Sequence, residues 1–205
     1  MRVGATASGE VQDRRSRFIA CLGHASSEEE AEAFVDEVRG RHHDARHNVP
    51  AWVLADGRER CSDDGEPQRT AGLPVLEVLR GAGLADVCCV VTRYFGGTLL
   101  GPGGLVRAYA AATQAALDHA HEEGTLVEMC LVTRVTCCIP YAAYDRVLRL
   151  ATDARGKVGD SVFAEDVQLT VAFHAGEERA FLDGVRELMA GEDVCVVHEP
   201  AFAEL

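Results

Sequence analysis

Val87-Cys88-Cys89-Val90-Val91, running on into Thr92-Arg93-Tyr94-Phe95-Gly96-Gly97, is the most informative stretch of this chain. Its first five residues are apolar without a break and rich in β-branched side chains, the pattern of a central strand covered on both faces. Polarity returns at Thr92-Arg93-Tyr94. The segment Gly96-Gly97-Thr98-Leu99-Leu100-Gly101-Pro102-Gly103-Gly104 then carries too much glycine for a regular element. Leu105 to Ala120, with its alanines, predicts a helix. Strand, glycine loop and helix is therefore the expected local plan.

Upstream, Ser16 to Gly23 alternates well enough for a strand. Ser26-Ser27 followed by Glu28-Glu29-Glu30 supplies an N-cap with acids in the first helical turn. Ala31, Phe34, Val35 and Val38 share one face of that helix, which should stop near Gly40. Ala51 to Ala55 suits a second strand, and Leu73 to Leu84 a short helix with Pro74 in its first turn. Downstream of Gly124 the expected order is strand 126–139, helix 141–152, strands 157–163 and 167–173, helix 177–189 and strand 194–198. That βαββαβ order is the ferredoxin-like α+β sandwich. Two α+β domains follow, residues 1–122 and 125–205.

The 205 residues carry 20 basic and 33 acidic side chains, a formal charge of -13 that opposes broad phosphate binding, so any nucleic-acid site must be local. Lys157 is the lone lysine; the other cations of that count are arginines, whose planar fork suits carboxylates and phosphates. No run reaches the roughly 20 apolar residues of a membrane helix, and the first residues lack a signal-peptide core. A cytoplasmic protein without membrane association is expected. Among the eight cysteines, Cys88-Cys89 and Cys137-Cys138 lie in apolar strand-like runs and none has C-x-x-C spacing. Buried thiols acting as small hydrophobes are expected rather than redox or metal groups.

Arg15-Ser16-Arg17-Phe18, Asp44-Ala45-Arg46-His47-Asn48, Ser62-Asp63-Asp64-Gly65-Glu66-Pro67, Thr70-Ala71-Gly72, Val91 to Gly97 and Leu100 to Tyr109, in that order, resemble the signature of the YigZ/IMPACT family. The likeness spans about residues 15–120, and the second half resembles the extra domain of bacterial members. It implies a ribosomal-protein-S5-domain-2-like first domain and a second domain like the last ferredoxin-like domain of elongation factor G. It also implies a role connected with translation.

Physically, the glycines let backbone N–H groups approach an anion, with the following helix dipole behind them. Gly96, Gly97, Gly101, Gly103 and Gly104 flanked by Arg93 and Arg107 are the candidates; a tight strand-to-helix connection explains the same residues structurally. The spacing is neither a P-loop nor G-x-G-x-x-G. Asp63, Asp64 and Glu66 supply carboxylates for a hard cation such as Mg²⁺, or simply form an exposed acidic turn. His47 beside Asn48 has the chemistry of a base or a ligand and equally of a structural hydrogen-bonding group. Tyr94 and Phe95 could stack on a base or fill core. His42-His43 at a helix end needs no further role.

No nucleophile–base pair stands out, so no catalytic residue is assigned. The first expectation is a noncatalytic regulator or ribosome-associated factor that binds RNA or a protein through an N-terminal cleft. The alternative is a metal-dependent enzyme acting on a phosphorylated or nucleotide substrate. A third is a protein-binding module acting through the second domain.

Overall fold

In the computed structural model, which describes residues 1–205, the run Val87–Tyr94 is the middle strand of a five-stranded sheet. The first unit, Met1–Val127, runs β1 (Thr6–Asp13), β2 (Ser16–His24), α1 (Glu28–Arg41), β3 (His47–Val53), β4 (Glu59–Cys61), α2 (Gly72–Gly81), β5 (Val87–Tyr94) and α3 (Pro102–Glu122). The sheet order is β1-β2-β5-β3-β4, every pair antiparallel.

Alternation along β5 explains its unbroken hydrophobicity. Val87, Cys89 and Val91 join Phe18, Leu22, Val49, Leu79, Tyr109 and Leu117 in a core shared with α2 and α3. Cys88 and Val90 point the other way, into a core with Trp52, Leu54 and the α1 residues Ala31, Phe34, Val35 and Val38. Burying each large apolar side chain contributes about 1.5–3 kcal/mol, so two-sided cover gives this sheet most of its cohesion. Helix α1 starts as its sequence predicts: Ser27 accepts a hydrogen bond from the Glu30 N–H at 3.2 Å.

β1 escaped the sequence reading because it is polar and buries little beyond Ala7. Its fit depends on Gly9, where an added Cβ would lie 2.3 Å from the Ala116 nitrogen of α3. β4 is only three residues long. The glycine segment also differs from expectation, since α3 begins at Pro102 and takes Gly103 and Gly104 into its first turn. Proline presets the helical φ at that position, Gly101 ahead of it adopts φ 72°, and Leu100 packs over Gly104.

The second unit, Glu128–Leu205, runs β6 (Met129–Ile139), a 3₁₀ turn (Tyr141–Ala143), α4 (Tyr144–Asp153), β7 (Lys157–Phe163), β8 (Val167–His174), α5 (Arg179–Leu188), β9 (Cys195–Val197) and β10 (Ala201–Glu204). The sheet order is β10-β6-β8-β7, with β9 also on β6. This is the ferredoxin-like arrangement, with its last strand divided into β9 and β10 around His198-Glu199-Pro200. Pro200 cannot donate to a ladder, and the short polar-flanked β10 was not anticipated. Val135, Cys137, Ile139, Leu169, Val171 and Phe173 face α4 and α5 through Val147, Phe181 and Val185.

The cysteine expectation needs correction. Cys88 and Cys89 are buried thiols, but Cys137 is joined to Cys195 in a disulfide and Cys138 is exposed. Adjacent strand residues point to opposite faces; both faces of β5 are covered, whereas β6 at this position is covered on one. No helix of the chain is long and apolar enough to cross a membrane.

Candidate functional site

The ends of β2, β3 and β5 meet at one end of the first sheet, where Arg17 pairs with Tyr94 and His47 with Arg93. The acidic turn, the β1–β2 hairpin tip and the glycine loop all attach there.

Each acid of the turn has its own structural partners. Asp63 accepts from the backbone N–H groups of Arg69 at 2.7 Å, Ala71 at 3.1 Å and Gly72 at 2.9 Å, so it serves the open N-terminus of α2 as a remote cap. Asp64, held at φ 45°, accepts from the Asn48 N–H at 2.6 Å and pairs with Arg39 at 3.2 Å. Its carbonyl oxygen is 2.7 Å from His47 Nδ1, which makes that nitrogen the protonated one. Asn48 Oδ1 in turn accepts from the Thr92 hydroxyl at 2.7 Å. The fold thus brings His47, Asn48 and Asp64 together, and adds Arg39, whose position on α1 gives no sequence signal of this contact.

Glu66 and Arg93 form a buried pair, 2.7 Å apart with side chains 3% and 8% exposed. The Tyr109 hydroxyl donates to the same Glu66 oxygen at 2.8 Å. Burial, followed by the neighbouring Glu66 charge, pushes the Tyr109 phenol far up from its ordinary range, so it remains a donor. The Arg93 guanidinium lies 5.5 Å from the ring centres of both Phe18 and Phe95, within cation–π range of each. Arg93 is thus part of the interior. Its Nε has no partner.

Tyr94 points elsewhere: its hydroxyl donates to Asp44 at 2.9 Å and lies 2.9 Å from His42 Nδ1. A phenol has one proton, so Nδ1 of His42 donates. His42 therefore does more than end α1.

The three carboxylates point to three separate donor sets, and no group of three or more His, Cys, Asp or Glu side chains is arranged to hold a metal. The chemistry left open is at the glycine loop. Gly96 donates its N–H to the Ser16 hydroxyl at 3.1 Å, and a Cβ on it would lie 2.0 Å from the Arg15 carbonyl carbon. The loop thus seats directly on the hairpin tip. That tip is Arg14-Arg15 at φ 44° and 69°, a two-residue turn with both residues left-handed, the conformation usually given to Asn-Gly. Arg14 reaches the Leu99 carbonyl at 3.4 Å.

Arg15 and Arg107 are exposed and have no hydrogen bond or ion pair to their side chains. Arg107 flanks Gly103 in the first turn of α3. That helix has neither a side-chain cap nor an acid in its first turn, in contrast to α1, served by Ser27, and α2, served by Asp63. Gly97 and Gly101 adopt positive φ with open space around them. Phe95 (48%) and Leu99 (80%) are exposed beside this cationic end. Arg14 was not named from the sequence and Arg15 only as part of a family-like motif, because a turn of two non-glycine residues carries no turn signal.

Residues 14–117 match the Impact N-terminal domain. IMPACT family member YvyE of Bacillus subtilis is 35% identical over 185 residues, 89% of this chain and 83% of that protein. IMPACT family member YigZ of Escherichia coli is 39% identical over 172 residues, 82% of each. Among solved structures, the crystal structure of a hypothetical protein matches 99% of this chain and 95% of its own at 33% identity, with a TM-score of 0.56.

Proposed function

This chain belongs to the IMPACT family, and from that premise we propose that it is a noncatalytic, translation-linked factor that takes RNA phosphate at the arginine-bearing end of its first unit. The observation that carries the reading is the uncapped N-terminus of α3 with the unpaired Arg107 beside its Gly103, together with the unpaired Arg15 at the hairpin tip on which Gly96 of the same loop seats. A protein of net charge -13 offers there a local anion site of backbone amides and guanidinium groups. The left-handed Arg14-Arg15 turn supports it. Non-glycine residues in that conformation are disfavoured by roughly 1–2 kcal/mol each, and such local conflict concentrates at functional positions. Phe95 supplies an exposed ring on which a base can stack.

In this reading His47, Asn48, Asp63, Asp64, Glu66, Arg93 and Tyr94 position the loop, and Gly96, Gly97, Gly101, Gly103, Gly104 and Arg107 with Arg14 and Arg15 meet the ligand. The link to translation comes from the family resemblance. The test is fluorescence anisotropy of a labelled single-stranded RNA against salt. Binding should weaken with salt, and Arg14→Ala/Arg15→Ala/Arg107→Ala should lower the log–log slope by about 2. A flat salt response would favour a protein partner instead. A nucleotide-dependent rise in melting temperature only with Mg²⁺ would favour the metal-dependent enzyme.

A further inference from the structure

Of the eight cysteines, the six at 21, 61, 88, 89, 130 and 138 are free thiols. Burial pushes Cys88 up to about 12 and raises Cys89 and Cys21 as well, which leaves them poor nucleophiles. Cys138 sits opposite Gln168 on the face of β6 away from Cys137. Cys137 and Cys195 alone face each other in direct register, on β6 and β9, and their sulfurs are bonded.

β9 is short and weakly held. Three ladder positions join it to β6, with flanking bonds from Cys138 N–H to the Val194 carbonyl at 2.9 Å and from His198 N–H to the Arg134 carbonyl at 2.9 Å. Its other side chains, Val196 and Val197, are 61% and 48% exposed and bury little. The bond therefore fastens an edge strand that apolar packing hardly holds. Cys137 is sealed in the core, whereas Cys195 is half-buried and lines a groove of ≈ 290 Å³ with Arg179, Leu182, Asp183, Arg186 and Val194. Arg186 is paired with Asp193, but Arg179 has no ionic partner. The same lining carries Asp183, Glu192 and Asp193, so the groove has no net positive charge and admits a small thiol by size.

We propose that Cys137–Cys195 is a reversible latch on β9, opened and closed by thiol–disulfide exchange with a low-molecular-weight thiol that enters the groove and attacks Cys195. In the opening direction the incoming thiolate forms a bond to Cys195 Sγ, the Cys137–Cys195 bond breaks, and Cys137 leaves with the electron pair and takes a proton. A second thiolate attacks the outer sulfur of the mixed disulfide. It releases the small-molecule disulfide and leaves Cys195 as a thiol. The protein gains two electrons and two protons, the small thiols lose them, and the reverse sequence closes the latch.

The full chain equilibrated across reduced/oxidised glutathione mixtures, acid-quenched, unfolded and alkylated tests this directly. Two fewer thiols should alkylate at the oxidising end, with one reversible midpoint and a Cys137–Cys195 linked peptide. Oxidation should raise the melting temperature of the second unit by on the order of 10 °C, a gap absent in Cys195→Ser. Full alkylation at every ratio would overturn the proposal, as would a bridge that survives the most reducing mixture. Linkage through any other cysteine would also contradict it.

Discussion

The two sheets solve burial differently, and β5 and β8 show how. In β5 every residue from Val87 to Arg93 is buried, because α1 lies on one face and α2 and α3 on the other. In β8 burial alternates, with Val167, Leu169, Val171 and Phe173 inside and Gln168 and His174 exposed. Two-sided cover lets the first sheet carry polar groups deep at its end, where Arg93, Glu66 and Thr92 are all buried. The second sheet keeps an open face and a weak edge. The first unit is thus built to hold a fixed polar constellation, and the second to change at its margin.

The sharpest way to break this comparison is Arg93→Ala. It strands the Glu66 carboxylate in the interior, and denaturant unfolding should show a loss of about 3–5 kcal/mol from the first unit. Arg93→Met/Glu66→Leu should recover much of it, since an apolar pair of similar volume leaves no uncompensated charge. Next comes a pair of matched substitutions. Val90→Ser on β5 should cost roughly 2–4 kcal/mol by burying a hydroxyl and removing methyl contacts, while Gln168→Ser on the open face of β8 should stay within about 0.5 kcal/mol. Equal effects would erase the distinction between the sheets.

Asp63→Ala removes the acceptor for three backbone N–H groups and should lower stability by about 1–2 kcal/mol, with hydrogen exchange fastest at the start of α2. The smallest effect concerns His42, which burial, and then the adjacent Arg41 charge, hold below the ordinary 6.5. The folded state favours the neutral ring. Its contribution is present above the unfolded pKa and is lost as pH falls through the folded one. A proton-NMR titration should place His42 below 6.5, and a value above it would mean that the Asp44 carboxylate dominates.

The elements that bury a periodic apolar set were readable: β5 from its unbroken run, α1 from its cap and stripe, and the βαββαβ order from alternation. β1, β4 and β10 were not, because they are edge strands that are short, polar or both. At the sheet end, His47, Asn48 and the acidic turn could be named from residue chemistry. Their partners could not, since Arg39 and Tyr109 reach Asp64 and Glu66 through tertiary packing across long sequence separations. Arg93 and Arg107 look alike in sequence; only the packed sheet distinguishes a buried ion-pair partner from an exposed, unpaired cation. The disulfide was hidden for a similar reason, because Cys195 meets Cys137 only through the register of β9 on β6.

The most direct measurement is ultraviolet crosslinking of the full chain to RNA in its own cell extract, comparing the wild type with Arg14→Ala/Arg15→Ala/Arg107→Ala. RNA crosslinks should map to the hairpin tip and glycine loop and fall at least several-fold in a variant that remains folded. Crosslinks unchanged in the variant, or none in the wild type, would contradict an RNA site there.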